Sequence, residues 1–321
     1  MPDISELNGT AINNVAEFDG LTVTEAVVGP TPSVAFSLRQ LPTTYGLSLY
    51  SGVVVRVRRE TAGGTGDDDE ADISFDTSLT TPAISLDSSV SNASSGVTAT
   101  TLGQFLNVGT VGGTTYTNPD SLTGTAEGLV VTWKDQSSNS YHATNSTQAE
   151  QPQIHTGLSS TDLNQEGGKP CIQFKSTGSR LFFTTVSTTT YALLSVSKAT
   201  GAQLEYLWGE DTPTGTSDQN VRTLNGAWWL DYCGIEIYYC NTASDRIANM
   251  NGSDVDNTRP TCTAQNILYE TCTSYSTRDS RSIGSFHLAR YWKGTMQELV
   301  FYNSVIADNY SSVANSYYSV Y

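Results

Sequence analysis

The stretch that decides the fold runs from Leu129 to Phe174. It opens with LVVTWKDQSSNSYHATN (129–145), passes through QPQI (151–154) and ends in GGKPCIQF (167–174). An apolar run ends at Trp133. Asp135, Ser137, Ser138, Asn139 and Ser140 follow, then His142 and Ala143, and a second apolar run arrives after Pro170. Asp, Asn and Ser side chains bond the backbone a few residues on, so this cluster predicts a defined tight turn between two strands rather than a loose linker.

Working outward, the composition agrees with a strand-rich chain. The 321 residues are 37% hydrophobic and only 15% charged. That charged share is well below the usual quarter of a globular domain, and helical surfaces need more Glu and Lys than this. Many short strands joined by small-residue turns, an all-β class, are expected instead. The 16 Lys and Arg against 32 Asp and Glu leave a formal charge of −16. Such a surface repels phosphate, so neither nucleic acid nor an anionic membrane is an expected partner. No run is apolar for long enough to span a bilayer. Met1-Pro2-Asp3-Ile4 lacks the basic and apolar regions of a signal peptide, so folding in a reducing cytoplasm is expected. The five cysteines (Cys171, Cys233, Cys240, Cys262, Cys272) show no CxxC spacing and are read as free thiols.

Residues 1–32 stand apart. Asn-Gly and Asp-Gly turns separate short apolar pieces, and the segment closes on Gly29-Pro30-Thr31-Pro32. So small a piece cannot build its own core and must dock on something. It is read as an anchoring and assembly arm, with no internal repeat seen in the chain.

The main domain is read as 33–321. VAFSLRQL (34–41) gives its first strand. In SGVVVRVRRE (51–60), Val53, Val55 and Val57 are expected on one face, with Val54, Arg56 and Arg58 on the other. AGGTGDDD (62–69) is expected to be a solvated hairpin tip. Its acids are consecutive, whereas a calcium loop needs them at alternate positions. DISF (72–75) pairs back onto the valine strand. Residues 76–128, low in hydrophobicity, are expected to be insertion loops around one short helix in TTLGQFL. Strands follow at 179–185, 191–198, 204–208, 227–232, 235–239, 266–272, 282–288 and 295–303. In the last, Met296, Glu298, Val300 and Tyr302 are expected to share a face, so Glu298 reads as a sheet-face residue rather than a catalytic acid. Ala307, Tyr310, Val313, Ala314 and Tyr317 recur at helical spacing and predict a C-terminal amphipathic helix.

These residues carry a family resemblance. TWKDQSSNSYHATN with QPQI and GKPCIQF resembles the "YDQSGNG(N/H)-A" segment of concanavalin A-like, laminin G-type sandwich domains. The similarity is to phage structural proteins and to the arabinofuranosidase B catalytic domain. AFSLRQL with GVVVRVRRE, and GTMQELVFYN (294–303), resemble further segments of the same superfamily. The resemblance implies a two-sheet jelly-roll sandwich. Trp133, Asp135, Gln136, Asn139 and His142 would form its signature turn. The leader ISELNGTAINNVAEFDGLTV resembles short leaders on virion proteins.

Retaining glycosidases need two carboxyl groups about 5 Å apart. The enzyme family's pattern falls here on AWWLDYCG (227–234), where Asp231 matches an Asp but Cys233 occupies the nucleophile position. Glu236 would serve only after a register shift. The position of the acid falls on Ile283-Gly284-Ser285-Phe286-His287, which has no carboxylate. No enzyme activity is expected. His142, His155 and His287 show no metal-ligand spacing, so neither metal nor other cofactor is expected. A carbohydrate-binding face is expected at Trp208, Glu210, Asp211, Trp228, Trp229, Asp231 and Tyr232. There aromatic faces could stack on sugar C–H surfaces while carboxylates take the hydroxyls, although alternation assigns half of the aromatics to the core. The resulting expectation is a homo-oligomeric virion protein, a tail-fibre, appendage or capsid-decoration subunit. It would be made in the host cytoplasm, joined to other virion proteins through residues 1–32 and directed at a host-surface glycan. An arabinofuranosidase B-like hydrolase is the alternative.

Overall fold

The structure, a computed structural model, describes residues 30–61, 68–120, 122, 124–157, 162–175, 178–188, 190–199, 246–254, 264–272, 278–286, 290–306 and 309–321. It also describes short strand pieces at 6–7, 10–11, 17–18, 21–22 and 208–209. The protein is an all-β sandwich closed on one outer face by the C-terminal helix Asn309–Tyr318.

The strand Gly294–Tyr302 is central to one half. It pairs antiparallel with Tyr191–Ala199 on one side. On the other it pairs with Ile172–Phe174 through its first residues and with Val34–Ser37 through its last. Tyr191–Ala199 continues to Asn266–Cys272 and Arg246–Met250. In the other half, Glu127–Trp133 pairs with Val53–Glu60 along one edge, and with Gln153–Thr156 and Ala143–Thr144 along the other. Beyond Ala143–Thr144 the ladder runs through Leu181–Thr188 and Arg278–Ile283 to Trp208–Gly209. The Gln153–Gln173 pair joins the halves.

Alternation along the strands explains two apolar layers. Val34, Phe36, Leu193, Leu299 and Phe301 point into the main core, where Val55, Val130, Trp133, Ile154, Leu181 and Phe183 of the opposing half meet them. Phe36 lies 5.7 Å, ring centre to ring centre, from both Trp133 and Phe183. Each such side chain contributes about 1.5–3 kcal/mol on burial. The intervening residues Ala35, Ala192, Leu194, Val196, Val300 and Tyr302 face outward but are buried as well, beneath Leu41, Tyr45, Tyr310, Ala314 and Tyr318. Strands covered on both faces read as continuous apolar runs, which is why YALL and ELVFY lack clean alternation.

Three expectations change. The alternation over Val53–Val57 breaks at a bulge, where Val53 pairs with Ser74 and Val55 with Ile73, and Val54 and Val55 are both fully buried. An extra residue on one strand resets the facing of all that follow. A second irregularity sits opposite Gln297, because Val196 pairs with Glu298 but Ser197 with Met296. Met296 therefore lies in the main core, while Glu298 faces the helix side. Finally, the stretch expected to be insertion loops closes one end of the main core with Leu86, Ala99, Leu102, Phe105, Leu106, Tyr116, Leu122 and Ala126. Its helix, Leu102–Leu106, is capped by the Thr101 hydroxyl, which accepts from the Gln104 amide. Sparse apolar residues suffice there because nearly all of them point inward.

Candidate functional site

The signature turn gathers its polar side chains onto a neighbouring segment. Asp135 is 1% exposed. One carboxylate oxygen accepts from the amides of Ala35 (2.8 Å) and Ser137 (2.9 Å). The other accepts from the Ser137 hydroxyl (2.7 Å) and the Tyr141 amide (2.9 Å). Gln136 donates through Nε2 to the carbonyls of Ser37 and Arg39, while its Oε1 accepts from the Leu41 amide. Asn139 donates to the Ser33 carbonyl at 2.9 Å. His142 accepts the Asp135 amide proton through Nδ1, and desolvation together with nearby Lys134 holds its pKa below the usual histidine value. Trp133 sits in the core beneath, fully buried. The turn thus satisfies the backbone of residues 33–41, the segment that enters beside the closing strand. Its groups are engaged in holding chain to chain.

A second buried cluster surrounds Glu298. The Arg39 guanidinium donates to it through Nε (2.8 Å) and Nη2 (3.3 Å). The hydroxyls of Tyr45 (3.0 Å), Tyr318 (3.2 Å) and Ser37 (3.3 Å) also donate to it. Arg39 lies over the rings of Tyr317 and Tyr318, at 4.7 and 5.2 Å. Burial, reinforced by the Glu298 charge, raises the Tyr45 and Tyr318 phenols well above the ordinary tyrosine value. Five donor contacts from four side chains hold this fully buried carboxylate between the strand and the C-terminal helix. Sequence reasoning placed Glu298 on a sheet face but missed Arg39, whose signal is a lone cation in an otherwise buried run.

Several further acids of the described residues pair with arginines. Arg56 pairs with Glu70 and Asp72, Arg58 with Asp68 and Glu60, and Arg59 with Asp69 and Asp120. The acidic row after residue 67 is therefore the counter-charge of the RVRR strand. Arg180 and Glu150 form a two-pronged pair at 2.9 Å for each contact. Glu270, also missed from sequence, is buried and accepts from the Tyr191 hydroxyl at 2.6 Å. Cys171 is buried, and desolvation, then the Glu166 charge, pushes its thiol up to about 12, too high for a nucleophile.

Of the expected carbohydrate-binding residues, Trp208 is described through its backbone. It lies on the terminal strand of the sheet and pairs with Ile283, while Gly209 pairs with Ser282. Glu210, Asp211, Trp228, Trp229, Asp231 and Tyr232 lie outside the described residues, as do Cys233, Glu236 and His287. The Trp208–Ile283 pairing brings the start of the aromatic-rich segment beside the Ile283–Ser285 turn. Gly284 there takes a φ of +83° and accepts the Trp292 amide through its carbonyl.

No protein-family model and no curated protein match the chain. A solved structure described as a GH54 α-L-arabinofuranosidase soaked with a cyclic sulfate inhibitor is similar to it at 11% identity and a TM-score of 0.46. The similarity covers 90% of this chain and 62% of that one, so the chain spans less than two thirds of that enzyme's length.

Proposed function

We propose that the chain is a structural subunit of a virus particle, a phage tail-fibre, appendage or capsid-decoration protein, attached through residues 1–32 and presenting the sandwich outward. The observation that supports this reading most is the arm. Its strand pieces pair only among themselves in the described residues, and none extends the large sheet. Two-residue ladders of this kind are not stable alone in water. A segment whose described strand pieces stand outside the sandwich's sheet serves assembly in this reading. In this reading the segment from Trp208 onward contacts a host-surface glycan by aromatic stacking.

The second reading is a retaining glycosidase of arabinofuranosidase B type. It is favoured by the Trp208–Ile283 pairing, which sets the start of the aromatic-rich segment beside one of the two regions, that beginning at Ile283, where the family pattern puts its carboxylates. Deleting residues 1–32 separates the two readings. A structural subunit then fails to enter particles while its sandwich remains folded, and an enzyme keeps releasing sugar. Incorporation of the truncated chain would show that the arm is not the anchor.

A further inference from the structure

The strand Arg246–Met250 turns back into Ser253–Asp254 through Asn251-Gly252, with Met250 paired to Ser253. Both turn residues take positive φ, 53° at Asn251 and 76° at Gly252, and Asn-Gly is the favoured pair for such a two-residue hairpin. A Cβ at position 252 would also lie 2.9 Å from the Tyr321 ring, so backbone and space together hold a glycine there. The fold has thereby fixed a chemically labile dipeptide. With no side chain on the residue after the asparagine, nothing shields the amide nitrogen that can attack the carboxamide.

In the folded chain that carboxamide is already engaged. Asn251 Oδ1 accepts the Ile267 amide proton at 2.8 Å, and Nδ2 donates to Asn266 Oδ1 at 2.9 Å. The Asn251 amide donates to the Ile267 carbonyl at 2.9 Å. Asn266 is buried, and its own Nδ2 donates to the Ala264 carbonyl, which fixes the end of its amide that faces Asn251. Turning the Asn251 carboxamide onto the Gly252 nitrogen gives up both of its bonds to the strand Asn266–Cys272. We propose that Asn251-Gly252 is a self-modification site gated by this docking, converting to aspartate or isoaspartate, with water as co-reactant, only while the turn is lifted from the strand. The Gly252 amide nitrogen loses its proton and attacks Asn251 Cγ. The new N–C bond closes a succinimide ring as the Cγ–Nδ2 bond breaks and ammonia leaves. Water then opens the ring at either carbonyl, and no electrons are transferred. The product has no Nδ2 proton to donate. Aspartate at 251 sets a carboxylate oxygen against Asn266 Oδ1, acceptor to acceptor, and Asn266 cannot reverse its amide without losing Ala264. An unmade buried bond of this kind weakens the docking, so one conversion leaves the turn open more often.

Peptide mapping by mass spectrometry of the full-length chain, held in mildly alkaline buffer with and without denaturing urea, tests this. Conversion at Asn251 is expected to be at least about tenfold slower in the folded chain than in urea, the effect of a modest local opening cost. Asn266→Ala removes the acceptor of Asn251 Nδ2 and should speed conversion in the folded chain while leaving the rate in urea unchanged. Hydrogen exchange of the Ile267 amide supplies a readout that needs no variant, since conversion should rise in step with that exchange as sub-denaturing urea is added. Equal rates in the folded and unfolded chain overturn the proposal, as does conversion that proceeds while the Ile267 amide stays protected. An Asn266→Ala chain that is folded by its urea midpoint and converts no faster than wild type overturns it too. Asn251→Asp, standing for the product, should exchange faster than wild type along Arg246–Met250 and Asn266–Cys272. Unchanged exchange would show that the product docks as asparagine does, which overturns the weakened docking.

Discussion

The Asp135 carboxylate accepts the amide proton of Ala35, one hundred residues earlier in the chain, at 2.8 Å. That bond, with the Gln136 amide donating in return to the Ala35 carbonyl at 2.7 Å, ties the signature turn to the first strand of the sandwich. Together with the pairing of Val34–Ser37 to Gly294–Tyr302, it positions Phe36 in the core and leads the chain on to Arg39 beside Glu298.

Replacing Asp135 by Ala therefore strips acceptors from the amides of Ala35, Ser137 and Tyr141 at once. A buried donor left without a partner costs about 1–3 kcal/mol. The variant is expected to lose several kcal/mol in urea unfolding followed by tryptophan fluorescence. Asp135→Asn keeps the shape but turns one acceptor into a donor, and should fall between the two. A variant within about 0.5 kcal/mol of wild type, the range of ordinary surface changes, would show that the turn does not hold the strand.

His142 gives the turn a pH dependence. Its folded pKa is held below the ordinary value, by desolvation first and then by Lys134. The unfolded chain therefore takes up the proton more readily than the folded one, and stability rises with pH across this range. It is fully present above about pH 6.5 and lost as pH falls through that value toward the folded pKa. An NMR titration should place the His142 midpoint below 6.5, and His142→Phe should flatten the stability profile between pH 5 and pH 6.5. A midpoint above 6.5 would contradict the neutral Nδ1 acceptor.

The Arg39–Glu298 pair predicts asymmetric mutational costs. Removing one partner of a buried pair leaves an uncompensated charge and typically costs about 3–5 kcal/mol, whereas apolar replacement of both is often nearly neutral. Glu298→Leu and Arg39→Met should each be severely destabilised, and the double variant should lie closer to wild type than either. Additive losses would sink this account. The surrounding phenols supply a second readout. Tyr45 and Tyr318 have folded pKa values raised by burial, so their contribution is present below about pH 10 and lost as pH rises above it. In the native protein they should remain un-ionised by ultraviolet absorbance until alkaline unfolding begins.

Much of the architecture was legible because its signals are local. The run of Asp135, Ser137 and Asn139 after an apolar strand favours a turn, and Ala307, Tyr310, Val313, Ala314 and Tyr317 recur at helical spacing. What the sequence hid is long-range. The bulges at Val53–Val55 and opposite Gln297 shift facing by one residue, and no local pattern announces them. The partners of Glu298 come from Ser37, Arg39, Tyr45 and Tyr318, remote in sequence, so the reading could place Glu298 on a face without seeing what neutralises it. The core role of Leu86–Ala126 was obscured because hydrophobicity averaged over a window misses a few apolar residues that all point one way. The candidate sugar face rests on residues beyond Gly209 that lie outside the described structure, and Trp208 marks only where it begins.

If the chain is built into a particle, as proposed, the most direct measurement is to look for it there. Cryo-electron microscopy of purified virions from the source, with mass spectrometry of the same preparation, should find the chain at a fixed copy number. The density should hold residues 1–32 against neighbouring subunits and the sandwich facing solvent. Finding instead that the chain is absent from particles, and that the purified monomer releases arabinose or another sugar from polysaccharide, would contradict the account and establish the hydrolase.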